Sequence, residues 1–347
     1  MLNFFKGSKL LSVLAASTIL ATTACAPTPT SGSEGAGSQA GNELQKIGLA
    51  IPNASFFTSG LPYYVARDKG FYKDNGLDVT MTVTSGGAGS VQAVVSGSAD
   101  LSVDTGAPAA IAAYAEGGPI RVVGASSTGL DLLWFADANG PTKKLEDLSG
   151  KKIGFSSNGS SSQLGVVAIN EALAAKGLAP ASGVAIGGAA DQLTAVKTGQ
   201  IAAGFTEPPS LMAQVDSGDL AIVADIAKLD NYKDYANVAV RYITANASLV
   251  KDKPEVVRSF LKAETQAWDW IFQNHEEAVQ IWRKAADLKD SDEVLMTAFD
   301  YFKREHLRTT PVDGQDAMLK IAEETGFLKK PLSDDQIVEL FGFSNPK

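Results

Sequence analysis

The sequence predicts an α/β protein of two lobes facing one cleft, with a helical tail. Three observations carry this. From Lys46 to Thr244 short apolar runs of strand length alternate with helical runs that stop at glycines. One module of this kind occurs twice. After Pro254 the strand signals end and helical periodicity takes over. The first copy of the module spans Ser85 to Pro108: a glycine-rich loop, a short helix from Val91, a stop at Gly97, a buried strand and a second loop through Asp104 and Thr105. The second copy begins at Gly187 and runs through Gly199 to Glu207 and Pro209. Laying Gly97 on Gly199 also lays Ala93 on Ala195 and Val94 on Val196.

Taken in order, Lys46–Ile51 is an apolar run closed by Pro52 and suits a buried strand. A loop through Asn53, Phe56 and Phe57 follows, and Leu61 to Gly70 reads as a helix with a glycine stop. Residues 71–77 read as a turn, 78–83 as an alternating strand, and 120–125 as another strand after the first module. The run 131–137, with Trp134, is expected to be a strand leaving the first lobe. Residues 145–155 restart a turn and strand, and the loop Ser156–Ser162 leads into a helix from Gln163 to Lys176. A strand, a serine-rich loop and a helix start present backbone N–H groups and hydroxyls to whatever lies in front. Ser160, Ser161 and Ser162 exceed what capping needs. Residues 220–224 read as a strand, and 238–244, with Arg241, as one returning the chain to the first lobe. In the tail, Val256, Val257, Phe260, Leu261, Trp268, Ile271 and Trp282 fall at helical spacing and are expected to pack across the first lobe.

At 347 residues, 45% hydrophobic, the chain can bury two ordinary cores. Its formal charge is −9, and the first 24 residues carry only Lys6 and Lys9, so the remainder is more acidic still. An acidic body without a basic stripe argues against nucleic acid and anionic membrane surfaces as partners. The lysine start, the apolar run Leu10–Ala21 and the small residues before Cys25 read as a secretion signal, with an apolar run shorter than the ~20 residues of a spanning helix. Cys25 is the single cysteine, so no disulfide can form within the chain. Residues 26–41, rich in Pro, Thr, Ser, Gly and Ala, cannot bury enough apolar surface to fold and are expected to act as a tether.

Cys25 after Ala24 resembles the lipobox of bacterial lipoproteins, with Thr22 standing where leucine is usual; the resemblance implies cleavage and lipidation at Cys25. The segments Tyr63–Phe71 with Gly76–Val79, Gly97–Asp100 with Gly106–Pro108, Leu145–Ile153, Glu207–Pro209 and Lys253–Leu261 together resemble the substrate-binding proteins of ABC importers, specifically the nitrate, sulfonate, taurine and pyrimidine-precursor group. That resemblance implies a periplasmic-binding-protein type II fold, two α/β lobes joined by two crossing strands and closing like a clamp. The expected division is a signal over 1–24, a lipidated cysteine and tether over 25–44, lobe I over 45–132 and 245–347, and lobe II over 133–244. The implied role is an exported, lipid-anchored monomer on the outer face of the cell membrane. It would take a small molecule to a permease and its ATPase subunit, without cofactor or metal. Pyrimidine-precursor synthases share the fold, yet resemble one another around a cysteine-rich motif and an active-site histidine. This chain shows neither, and His275 and His306 both lie in the tail. A sensor-associated binding protein is the third class.

The candidate ligand residues follow apparent strands, at the edge where open α/β sheets collect ligands: Asn53, Phe56, Phe57, Ser85, Gly87, Asp104 and Thr105 from lobe I, and Ser160, Ser161, Ser162 and Glu207 from lobe II. Trp134 and Arg241, on the crossing strands, complete the set. These loops hold no lysine or arginine, whereas each lobe offers a carboxylate, Asp104 and Glu207. Two such charges at 4 Å repel by about 4 kcal/mol at an effective dielectric near 20. A donor-bearing nitrogen heterocycle, pyrimidine-like and stacked on Phe56 and Phe57, is therefore expected before an aliphatic sulfonate, taurine or nitrate.

Overall fold

The computed structural model describes residues 43–307 and 310–344. The expected signal over 1–24, Cys25, and all but the last two residues of the expected tether lie outside the described residues.

The first sheet grows from β1 (Gln45–Ile51), which leads through α1 (Gly60–Asp68) and α2 (Phe71–Asp74) to β2 (Leu77–Val83). Then come α3 (Gly87–Val95), β3 (Leu101–Gly106), α4 (Ala107–Ala115) and β4 (Ile120–Thr128). The chain crosses to β5 (Leu133–Asp137), then β6 (Lys152–Phe155), α5 (Ser161–Ala175), β7 (Ser182–Ala185), α6 (Ala189–Lys197), β8 (Gly204–Thr206), α7 (Met212–Asp216) and β9 (Leu220–Asp225). It returns as β10 (Ala239–Asn246) and ends in α8 (Ala247–Asp252), α9 (Pro254–Gln273), α10 (His275–Ala286), α11 (Asp292–Tyr301), α12 (Gln315–Glu324) and α13 (Asp334–Phe341).

The first sheet has the order β2-β1-β3-β10-β4, with β1 parallel to β2 and β3 and β10 antiparallel to both neighbours. In the second lobe β5 lies antiparallel between β8 and β9, and β6 runs parallel to β7. A parallel bridge from Ile153 to Ala203 joins β6 to the residues entering β8. The second lobe therefore reads β7-β6-β8-β5-β9, the same order and strand directions as the first. In each lobe the single antiparallel strand arrives on a crossing segment, β10 in the first and β5 in the second. The repeated module is real at this level. The helices α3 and α6 are both nine residues long, begin after Gly86 and Gly188, and stop before Gly97 and Gly199, which take φ of 75° and 73°.

Burial follows position in the sheet. The central β3 is buried throughout, whereas the edge strand β2 alternates and the edge strand β7 is largely exposed. Strand β7 has no alternating apolar pattern and was not expected from the sequence. Residues 71–77, expected as a turn, contain the short helix α2. The expected loop at Gly106–Pro108 is instead the start of α4, because proline suits the first helical turn, where its missing N–H costs nothing. Below the first sheet, α1, α9, α10 and α11 enclose an aromatic core with Phe57 at its centre. Its ring stacks on Phe302 at 5.2 Å and meets Phe299 edge-on at 5.0 Å. Helices α3, α4, α12 and α13 cover the other face.

Candidate functional site

Parallel strands within a sheet deliver their carboxyl ends to one edge, and here those edges of the two lobes face each other across a cavity of about 300 Å³. From the first lobe come Pro52 and Asn53 after β1, Thr84 and Ser85 after β2, Gly87 at the start of α3, and Asp104 and Gly106 from β3. From the second come Ser156 after β6, Ser160, Ser161 and Ser162 at the head of α5, Gly187 and Asp191 around the start of α6, Phe205 from β8 and Glu207 just after it. Phe56, Leu132 and Arg241 complete the lining.

Local hydrogen bonds fix these loops. Asn53 Oδ1 accepts from the Ser55 N–H at 2.7 Å, and its carbonyl accepts from Ser59 Oγ. Ser160 caps α5, its Oγ accepting from the Gln163 N–H, and Ser162 Oγ accepts from the Ser156 N–H at 2.9 Å. Two of the three hydroxyls thus hold the loop itself. What α5 offers the cavity is its first backbone N–H groups, which have no acceptor within the helix. Asp191 Oδ2 accepts from the Gly188 N–H at 3.1 Å and ties the facing loop in the same manner.

The charged centre is buried. Arg241 Nη2 donates to Glu207 Oε2 at 2.7 Å and its Nε to Ser161 Oγ at 3.1 Å. Asp104 Oδ1 lies 3.6 Å from the same Nε. Thr58 Oγ1 donates to Asp104 Oδ2 at 2.8 Å and lies 3.4 Å from Glu207 Oε1. Burial, reinforced by the charge of Asp104, pushes the Glu207 carboxyl upward against the opposing pull of Arg241. Asp104 takes a left-handed φ of 56°, a conformation uncommon outside glycine that aspartate tolerates better than most.

Three of the expected ligand residues do not reach the cavity. Phe57 is fully buried in the aromatic core, so it cannot stack on a ligand; its neighbour Phe56 is the half-buried ring that faces the opening. Trp134 is buried inside the second lobe, its indole N–H donating to the Gly154 carbonyl at 3.0 Å. It lies so close to α5 that a Cβ on Gly165 would come 2.2 Å from the ring. Thr105 is fully buried and donates to the Tyr242 carbonyl at 2.9 Å. The expected repulsion between Asp104 and Glu207 is also corrected, because Arg241 stands between them and neutralises one charge.

Sequence reading missed Thr58, Asp191, Leu132 and Phe205. The internal repeat held a signal for two of them: Asp191 opens the second copy, and Phe205 lies on its strand. Thr58 carried none, since a lone threonine in a loop says nothing of the two carboxylates the fold sets beside it. Among the described residues, no group of His, Cys, Asp and Glu could hold a metal ion, and no helix is long and apolar enough to cross a membrane.

Comparison with known proteins agrees with this geometry. The chain is 27% identical over 276 residues to the riboflavin-binding protein RibY of Chloroflexus aurantiacus, covering 76% of this chain and 74% of that one. It is 25% identical over 241 residues to the 4-amino-5-hydroxymethyl-2-methylpyrimidine phosphate synthase of Candida albicans, covering 66% and 67%. Among solved structures, the periplasmic aliphatic sulphonate binding protein SsuA of Escherichia coli superposes with a TM-score of 0.64 at 17% identity, over 86% of this chain and 98% of that one. The fold is therefore the periplasmic-binding-protein fold, two α/β lobes with crossing strands and a helical C-terminal segment. The sequence pattern of the NMT1/THI5-like family matches residues 58–278, and the chain belongs to that family.

Proposed function

We propose that the chain is an exported solute-binding protein, tethered through a lipid on Cys25, that closes a first lobe, over 45–132 with β10 and the tail, on a second lobe over 133–238 around a small planar molecule. It then passes that molecule as a monomer to an ABC permease and its ATPase subunit. The ligand we infer is a nitrogen heterocycle bearing N–H donors. One observation carries this: the cavity lining holds three carboxylates, Asp104, Asp191 and Glu207, and one cation, Arg241, which is already bonded to Glu207. An anion would meet net negative charge and no free cationic side chain in the lining, whereas ligand N–H groups would find an acceptor in the exposed carboxylate of Asp191. Phe56 and Phe205 supply apolar surface for a ring. The names of two relatives point to riboflavin and a pyrimidine phosphate, both built on nitrogen rings, and this supports the same reading.

A sulfonate, taurine or nitrate remains the second reading, because the head of α5 can hold an anion through backbone N–H groups alone. A synthase role lacks support at the cavity. The described residues contain no cysteine. His275 packs on Phe299, and His306 lies 3.7 Å from Asp131, neither in the lining. A sensor-associated binding protein would use the same clamp with a different docking partner. A thermal-shift screen against riboflavin, aminopyrimidines, taurine, an alkanesulfonate and nitrate tests the ligand class. Stabilisation by a nitrogen heterocycle is expected; stabilisation by the sulfonates or nitrate alone would overturn it. For the anchor, a Cys25→Ser precursor is expected to leave the membrane fraction or remain unprocessed.

A further inference from the structure

The shortest side-chain contacts across the cleft are made by Arg241, beside a longer one from Thr58 Oγ1 to Glu207 Oε1 at 3.4 Å. Arg241 stands on β10 of the first sheet, yet Glu207 Oε2 and Ser161 Oγ, which accept from its Nη2 and Nε, both belong to the second lobe. On its own side lies Asp104, whose Oδ2 is taken by Thr58 and whose Oδ1 is sealed from solvent with no hydrogen-bond partner among the described residues. That oxygen sits 3.6 Å from Arg241 Nε, just beyond bonding distance. A buried carboxylate oxygen left without a donor beside a guanidinium is costly, and the arrangement persists because the guanidinium is held elsewhere.

We propose that Arg241 is a two-position latch, held by Glu207 and Ser161 while the lobes are together and turning to Asp104 when they part. The longer contact of Arg241, Nη1 to Thr58 Oγ1 at 3.4 Å, stays with the first lobe, while the two shorter partners ride on the other, so opening removes those two at the same moment and leaves Asp104 as the nearest charged acceptor. Arginine keeps its charge in either position, and its planar fork suits a carboxylate on each side. Each state therefore leaves one carboxylate without the guanidinium: Asp104, buried, when closed, and Glu207, hydrated at the cleft, when open. The competition between these two acids for one cation sets how often the empty protein opens. The latch rests on the two-lobe clamp proposed above but not on the identity of the ligand.

The Ala109 amide gives a direct readout. As the third residue of α4 it has no acceptor within the helix, and it donates across the cleft to the Gly159 carbonyl at 3.2 Å. Its hydrogen exchange in the full-length, ligand-free chain thus tracks separation of the lobes, while amides of β1 track unfolding of the first sheet. Asp104→Asn keeps the left-handed backbone, which asparagine also tolerates, and removes the competing charge. Exchange at Ala109 is expected to slow by roughly ten-fold. Glu207→Gln weakens the closed-state hold and is expected to speed it by a similar factor. Thr58→Val strips Asp104 of its other donor and removes the longer contacts to Glu207 Oε1 and Arg241 Nη1, both 3.4 Å; it raises the demand of Asp104 for Arg241 and is also expected to speed exchange. If Ala109 exchanges unchanged or faster in Asp104→Asn while β1 holds, the latch is wrong. If Asp104→Asn disturbs β1 as well, Thr58→Val decides, and an unchanged rate there overturns the latch. Because no ligand is present, a failed ligand screen and a failed latch are separate results.

Discussion

Phe56 and Phe57 are adjacent aromatics that sequence reading set to the same task, and the fold divides them. Phe57 fills the space between α1 and the tail helices, so Phe57→Ala should cost about 3–5 kcal/mol of stability, measured by denaturant unfolding. Phe56→Ala should leave the melting temperature nearly unchanged and weaken ligand binding measured by calorimetry. Which of two neighbouring rings turns inward depends on the backbone of one loop, and period-based reading has no purchase on a segment without a period. Glu264 makes a second residue-scale case. It is buried on α9, bonded to the Tyr72 hydroxyl, and burial pushes its carboxyl up to about 7 despite the lowering effect of that bond. Its folded value exceeds its unfolded one, so the folded state binds the extra proton between about 4.5 and 7. Stability from this group is complete below that window and is lost as pH rises through it, by on the order of 3 kcal/mol. Glu264→Gln should match the parent at low pH and exceed it at pH ~8 in thermal or denaturant unfolding. An unchanged pH profile would remove Glu264 as its source.

At the scale of elements, the repeated module was legible because its punctuation is backbone physics. A helix that ends in a left-handed residue wants glycine, and the two glycines fall at the same register in both copies. What the sequence left open was how near the two copies come. Gly106 ends β3 with an ordinary φ of −57°, so alanine is tolerated there conformationally, yet a Cβ would lie 2.2 Å from the Gly159 carbonyl oxygen of the other lobe. The glycine is required by the approach of the lobes and not by its own torsion angles, a demand invisible to local reading. Gly106→Ala should therefore hold the lobes apart, lowering ligand affinity by at least ~10-fold. The melting temperature of the empty protein should be preserved or slightly raised by the smaller entropy of its unfolded chain. A loss of stability with unchanged affinity would place the clash inside one lobe. The serine-rich loop shows the reverse limit. Its position at the cavity was readable from the strand, loop and helix order, but the hydroxyls were not assignable, because capping and ligand binding ask for the same residue type.

The whole molecule is two copies of one sheet order, each completed by a strand on a crossing segment, and the two completions differ in cost. The second lobe's strands β5 to β9 are contiguous in sequence. The first lobe's are not: β10 stands between β3 and β4, and β4 reaches the rest of its sheet through that strand. Sequence reading found both crossing strands and the tail, since each carries a clear apolar pattern. It could not say that β10 would be central and not at an edge, because strand order is a property of pairing over long separations. The consequence is testable by fragments. Residues 133–238 contain a full sheet together with α5, α6 and α7, and Trp134, Phe155, Leu164 and Ile169 to bury beneath it. Residues 43–132 contain four strands with a gap where β10 belongs. They also lack the tail helices that cover Phe57, Leu61 and Tyr64, and so would expose both the apolar face and two unpaired strand edges. The fragment 133–238 is expected to give a cooperative thermal transition by circular dichroism, and 43–132 none, with soluble recovery falling accordingly. A cooperative transition in 43–132 alone would mean that the first lobe closes its sheet without β10. Arg241 would then belong to a strand laid onto a finished lobe and not to one that builds it.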